Sequence, residues 1–250
     1  MKKIFLADLD NTLIYSYKHA KEGDVCVEML KGKPQGFISA ENYARLKGLQ
    51  ERYTVIPVTS RSIEQYGRIQ LPVTPAYAVV ANGGWLLKDG VVDEAWRKET
   101  EAFIAPYREE MQRVAAFLEA QELFLRVRIV DDTFLFAYCK DEVDIASYLA
   151  SAVPNTSLTT VASGRKLYFF PPQINKGEAS RRILRMLKTD KAAAAGDSSI
   201  DAPMLAEAEL AIVPKGYPVG LLPERQQRAV CQDGEFCNFV LETVKRYFEI

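Results

Sequence analysis

Short apolar runs that alternate with stretches of helical periodicity constrain this chain more than any other feature. Runs at Lys3–Ala7, Tyr53–Val58, Ala76–Ala81, Lys191–Ala195, Glu209–Val213 and Arg228–Cys231 each have the length of a strand. Helical patterns cover Ala40–Glu51, Ser62–Ile69, Lys176–Lys188, Asp201–Glu207 and Glu235–Phe248. Apolar strands separated by helices predict an α/β fold, a Rossmann-like doubly wound parallel sheet with helices on both faces.

Between about Ala95 and Pro171 the pattern changes. A long helical stretch, Thr100–Ala120, precedes strands at Leu123–Val130 and Thr133–Cys139, joined at Asp131-Asp132. A helix at Glu142–Ala152 then precedes strands at Ser157–Ala162 and Lys166–Phe170, joined at Ser163-Gly164-Arg165. This αββαββ order describes a small α+β layer able to bury one face of its own. We therefore divide the chain into a core, residues 1–94 and 172–250, and an inserted smaller domain, residues 95–171. A further hairpin is predicted in the core, Val25–Leu30 with Gln35–Ser39, turning at Lys31-Gly32-Lys33-Pro34. It either overhangs the site or extends the sheet surface, and the second reading is preferred.

The core strands deliver polar residues where they end. The first ends at Asp8, the second at Thr59-Ser60, the third at Asn82-Gly83-Gly84 and the fourth at Gly196-Asp197. Open parallel sheets bind ligands at that carboxyl edge. Asp8 and Asp10 would point to opposite faces of a regular strand, so a shared site requires the chain to turn directly after Asp8. Phosphoryl transfer has a use for such a pair, one carboxylate attacking phosphorus and the other moving the proton. Asp197 and Asp201 add oxygen donors of the kind Mg²⁺ prefers. Lys176, opening a helix, would neutralise a phosphoryl oxygen, and Thr59 and Ser60 offer hydroxyl donors at a helix start. Each segment also has an ordinary reading, as a strand-end turn, a helix cap or an exposed lysine.

Taken in order, these segments resemble the motifs of the haloacid dehalogenase (HAD) superfamily. Asp8-Leu9-Asp10-Asn11-Thr12 is similar to its DxDx(T/V) signature, and Val58-Thr59-Ser60-Arg61 to the second motif. Asn175-Lys176-Gly177 resembles the third, and Gly196-Asp197 through Asp201 the fourth. The αββαββ insertion resembles the cap of the sugar-phosphatase-like branch, and Asn82-Gly83-Gly84 the turn before it. The resemblance implies a phosphoric monoester hydrolase in which Asp8 forms an aspartyl-phosphate and Asp10 is general acid and base. It implies Mg²⁺ held by the Asp8 carboxylate, the Asp10 carbonyl and Asp197, with Asp201 in support. It also implies that Asn11, Thr59, Ser60 and Lys176 contact the phosphoryl group. In the cap, Arg126, Arg128, Arg165 and Lys166 are candidates for gripping the rest of a small phosphorylated substrate. A phosphomutase on the same scaffold and a low-turnover regulatory binding protein are the competing readings. Three departures stand out: Asn11 replaces a common glycine, Ile200 stands where many relatives carry Asn, and the stretch from Asp8 to Thr59 is longer than usual for this branch.

Composition excludes other classes. With 48% hydrophobic and 26% charged residues, a formal net charge of −1 and no basic run, no nucleic-acid partner is expected. No apolar run reaches the roughly 20 residues of a membrane span, so a cytoplasmic protein with no membrane partner is expected. Cys26, Cys139, Cys231 and Cys237 form no CxxC pair and read as reduced thiols. His19 is the only histidine and reads as a solvated loop residue, which leaves oxygen as the metal donor.

Overall fold

The structure, a computed structural model, describes residues 2–189 and 191–249. Strand β1 (Ile4–Ala7) is followed by β2 (Tyr15–Ser16), β3 (Val25–Leu30), β4 (Lys33–Ile38), α1 (Ala40–Arg52), β5 (Thr54–Pro57) and a single-turn α2 (Ile63–Tyr66). After these come β6 (Tyr77–Val80), β7 (Trp85–Lys88) and β8 (Val91–Val92). The middle of the chain supplies α3 (Glu94–Ile104), α4 (Arg108–Glu119), β9 (Phe124–Val130), β10 (Phe134–Cys139), α5 (Ile145–Ser151), β11 (Thr159–Ser163) and β12 (Lys166–Phe170). The core resumes with α6 (Lys176–Leu187), β13 (Ala192–Ala195), α7 (Ala202–Ala206), β14 (Leu210–Pro214), β15 (Gln227–Cys231) and α8 (Phe236–Glu249).

Five strands form a parallel sheet in the order β15-β14-β13-β1-β5. Alternate residues bury on opposite faces, as a doubly wound sheet requires. Ile4, Leu6, Ala192 and Ala194 pack with Ile183 of α6 and Met204 of α7. Phe5, Ala7, Ala193 and Ala195 pack with Leu46 of α1 and Val244 of α8. Strand β13 is four alanines, a residue depleted in strands. Pairing on both edges, to β1 and β14, overrides that preference.

The run at Ala76–Ala81 departs from the sequence expectation. It touches the sheet through one parallel bridge, Val58–Val79, and heads a separate antiparallel sheet with β7 and β8, which the sequence reading did not anticipate. The expected helix at Ser62–Ile69 shortens to the single turn of α2, and that at Glu142–Ala152 to α5. The expected helix at Thr100–Ala120 is two helices that begin earlier, at Glu94, where the Asp93 side chain accepts the Trp96 N–H. Pro106 separates them through a 3₁₀ turn, since proline lacks the N–H that would continue the ladder.

Strands β9 to β12 form a four-stranded antiparallel sheet in the order β11-β12-β10-β9. One face, including Val127, Ile129, Leu135 and Phe169, packs on the helices through Ile104, Val114, Leu118 and Tyr148. The other face turns toward the carboxyl edge of the parallel sheet. The predicted hairpin of the core is present, with its second arm starting at Lys33. Its turn is Lys31-Gly32, both residues with positive φ (49° and 75°), the shape a two-residue hairpin demands. Strand β2 adds a third strand on β4. All four cysteines are free and His19 is exposed, as expected. Among the described residues, no helix is long and apolar enough to cross a membrane.

The cap meets the core at a turn with no room for side chains. A Cβ on Gly84 would lie 2.5 Å from Thr133 Cγ2, at the tip of the β9–β10 hairpin. The Trp85 indole donates to the Asp131 carbonyl at 3.2 Å, and the Asp131 carboxylate accepts the Ile63 N–H at 2.7 Å. Gly84→Ala is expected to destabilise the protein by about 1–3 kcal/mol through overpacking, measured by chemical denaturation. In a Thr133→Ser background, which removes the clashing methyl, part of that loss is expected to return.

Candidate active site

At the end of β1 the chain turns at once. The Asn11 N–H donates to the Ile14 carbonyl at 2.8 Å, and Thr12 and Leu13 both donate to Leu9. Asn11 adopts a positive φ of 60°, a conformation asparagine tolerates better than most residues. Leu9 is buried in the core while Asp8 and Asp10 flank it on the site side, which resolves the two-faces problem.

Three distant segments converge on Asp8. The Lys176 ammonium, at the first position of α6, donates to Asp8 Oδ1 and to Asp201 Oδ1, both at 2.6 Å. All three groups are buried. Burial pulls the lysine's pKa down, but Asp201 and Asp8 outweigh it and hold the pKa above the ordinary range. Burial, with the like charges of Asp201 and Asp10, raises Asp8 against the pull of Lys176. Asp8 Oδ2 has only a long contact from the Thr12 hydroxyl, 3.4 Å.

Asp201 also organises the loop around it. Its Oδ2 accepts from the Asp197 N–H (3.1 Å), the Ser198 N–H (2.9 Å) and the Ser198 hydroxyl (3.0 Å), while Oδ1 holds Lys176. Both oxygens are occupied, so Asp201 positions Asp197 and Lys176. Gly196 permits this, because a Cβ there would sit 2.4 Å from Asp201 Cβ. Asp197 has one side-chain partner, the Asn11 amide at 3.3 Å. Burial and the Asp201 charge push its carboxyl up to about 6. Asn11, expected to touch phosphate, thus ties the first motif loop to Asp197.

Carboxylate oxygens of Asp8, Asp197 and Asp201 lie within 4.8 Å of one another, faced by a single ammonium. Such an excess of hard oxygen donors fits a divalent cation of the magnesium type, with Asp8 and Asp197 the available ligands.

Asp10 points into a cavity of about 450 Å³ between core and cap, a size suited to a small ligand. Arg61 grips its carboxylate with two parallel bonds, Nε to Oδ2 at 2.9 Å and Nη2 to Oδ1 at 2.8 Å. Although burial acts the other way, these bonds hold Asp10 below the usual carboxylate range. Arg61 also pairs with Glu28 at 2.9 Å, and Glu28, buried on β3, pairs in turn with Arg68 at 3.1 Å. The preferred reading of the 15–38 segment is therefore corrected. Tyr15, Glu28, Leu30 and Gln35 line the cavity, so the segment walls the site.

The other expected residues divide. Thr59 is buried at the end of β5 and its hydroxyl accepts the Arg61 N–H at 3.2 Å. Ser60 lines the cavity near the Tyr168 hydroxyl, which burial pushes up to about 12. Arg126, Arg128 and Lys166 line the cap wall. Arg165 does not. It bonds the Cys139 carbonyl with Nε (3.0 Å) and Nη2 (2.7 Å), pairs with Asp141 and lies over the Tyr138 ring, so it fastens the end of its own hairpin. Ile200 packs against the cluster of Ala81, Phe134, Tyr168 and Phe170 and joins cap to core by apolar contact. Sequence reasoning missed Glu28 and Tyr168. A lone acid between Val27 and Met29, inside an apolar strand, was the signal for the first.

Comparison with solved structures places this architecture. The sucrose-phosphatase of Synechocystis sp. PCC6803 superposes with a TM-score of 0.67 at 16% identity, covering 99% of both chains. A haloalkanoate-superfamily phosphatase from Bacteroides thetaiotaomicron gives 0.63 at 16% identity, over 100% of this chain and 96% of the other. A HAD subclass IIB sugar phosphatase gives 0.64 at 12% identity over the full length of both. No family model and no curated protein matches the sequence. The chain therefore has the fold of these phosphatases.

Removing Lys176 strands two buried carboxylates. Lys176→Met is expected to lower stability by about 3–5 kcal/mol, read by denaturant unfolding. Asp197→Asn is expected to act oppositely in metal-free protein, raising the melting temperature by a few degrees as it relieves carboxylate crowding. Any upward shift that Mg²⁺ produces in the wild type is expected to be lost in the same variant.

Proposed function

We propose that the protein is a Mg²⁺-dependent phosphatase that hydrolyses a small phosphorylated metabolite through an aspartyl-phosphate at Asp8. The observation that carries this reading is the buried Lys176 bridge between Asp8 and Asp201, with Asp197 beside it and Asp10 at the cavity. An Asp8 oxygen attacks phosphorus and the bond to the leaving oxygen breaks, with that oxygen taking its proton from the Asp10 carboxyl. In the second half Asp10 takes a proton from water, whose oxygen attacks phosphorus and frees Asp8. Arg61 holds Asp10 as the carboxylate, the form that takes the proton from water in the second half, so donation in the first half requires Asp10 to gain a proton as substrate enters. Lys176 offsets charge on Asp8 and on the phosphoryl oxygens. Bound Mg²⁺, for which Asp8, Asp197 and the Asp10 carbonyl are the fitting ligands, supplies the remaining positive charge.

The cap supports a small substrate, since its sheet closes over Asp10 and leaves a cavity of metabolite size. Sugar phosphates come first for testing because sugar phosphatases share the fold. The test is release of inorganic phosphate from a metabolite panel with and without Mg²⁺. Release into solution separates hydrolysis from return of the group to substrate. Asp8→Asn is expected to reduce turnover at least roughly a thousandfold, the scale of losing a covalent nucleophile, with its circular dichroism unchanged. Near-wild-type turnover in that variant would exclude the covalent route.

A further inference from the structure

The cavity is lined by five cations, Arg61, Arg68, Arg126, Arg128 and Lys166, against two carboxylates, Asp10 and Glu28. On the core side the charges are matched. Arg61 pairs with Asp10 and Glu28, and Arg68 with Glu28 and Glu64. On the cap side they are not. Among the described residues the cap's only hairpin-end ion pair goes to Arg165, and none reaches Arg126, Arg128 or Lys166. Asp131, at the turn of the same hairpin, accepts the Ile63 N–H, and its charge reaches Arg128 without an ion pair between them. Arg128 Nε is buried without a hydrogen-bond partner, and its guanidinium lies 5.7 Å from the Phe136 ring centre. Desolvating a cation beside other cations is costly unless an anion joins them.

Register fixes how these groups are spaced. Across β10, Arg126 aligns with Tyr138 and then Lys166, while Arg128 aligns with Phe136 and then Tyr168. All share the cavity face, so β9 and β12 stand two strand spacings apart, about 10 Å. Lys166 is close enough to Asp10 for its charge to bear on that carboxyl. The arginines of β9 therefore lie a metabolite's length away from the reacting end, with the Phe136 and Tyr168 rings between.

We propose that Arg126 and Arg128 form a second anion subsite, so that the substrate is a phosphomonoester carrying a carboxylate or further phosphate at the end of its skeleton remote from the scissile group. This deepens, and rests on, the phosphatase reading of Asp8. Arginine is suited to the task because its planar fork meets either anion with paired bonds.

Matched substrates test it: glucose 6-phosphate against 6-phosphogluconate, and glucose 6-phosphate against glucose 1,6-bisphosphate. The wild type is expected to prefer the doubly anionic member of at least one pair by about 10- to 100-fold in kcat/KM, the range of a charge-assisted bond. Which pair responds tells carboxylate from phosphate. Arg128→Met and Arg126→Met are expected to bring that ratio toward one, and Arg126 is exposed, so its replacement leaves the core packing alone. Equal kcat/KM within both pairs, or a preference undiminished in both variants, overturns the subsite. The same pairs are titrated by calorimetry against Asp8→Asn protein, which needs no turnover. If the wild type hydrolyses nothing with Mg²⁺, the phosphatase reading fails while the binding ratio still decides the subsite. Tighter binding of a doubly anionic member, lost in the Arg128→Met double variant, supports it, and equal binding sinks it.

Discussion

A lysine ammonium almost wholly removed from water holds this structure's chemistry together. Lys176 meets Asp8 from the first strand and Asp201 from the loop after β13, and all three charges are buried. Buried charges of this kind are tolerated only when paired and fully hydrogen-bonded. The pairing fixes where α6 begins, how the β13 loop folds and which way the Asp8 carboxylate points. Asp201 then organises the loop through its second oxygen, drawing in the N–H groups of Asp197 and Ser198. Removing the lysine leaves two buried carboxylates with no cation between them.

A second set of charges lies outward of the first and is wetter. Arg61 spans Asp10 and Glu28, which couples the motif loop of β1 to the antiparallel strands of segment 15–38. Those strands share the cavity wall with the cap, so the site is enclosed from the core side as well as from above. The cap reaches its position through the Asp131 contacts and through the apolar cluster that Ile200 enters. A polar side chain at position 200 would leave those aromatic rings without that contact, and isoleucine fits this particular interface.

Much of this arrangement was legible beforehand, for physical reasons that can be named. Strand-length apolar runs ending in Asp8, Thr59 and Asp197 located the carboxyl edge, and Asn175-Lys176-Gly177 located the cation. The extent of the cap sheet followed from its two hairpins. What escaped depended on contacts between distant segments. Glu28 gains its meaning only when Arg61 and Arg68 fold against it, and nothing local distinguishes Arg165, which turns back on its own hairpin, from Arg128, which does not. The break at Pro106 was available from local chemistry and was overlooked. The detour of β6 into its own small sheet was not available, because its sequence is as apolar as that of a sheet strand.

The alanine strand at the centre of the sheet has a bearing on the Lys176 site that its blandness conceals. Ala192 and Ala194 share a cluster with Ala179 and Ile183 of α6, the helix whose first residue is Lys176. Ala193 and Ala195 face α8 on the reverse side. With nothing larger than a methyl on either side of β13, α6 seats close against the sheet. Steric bulk that carries no charge thus joins the ion pairs in setting where Lys176 sits. Any residue one carbon larger in that strand would be felt at a site it never touches.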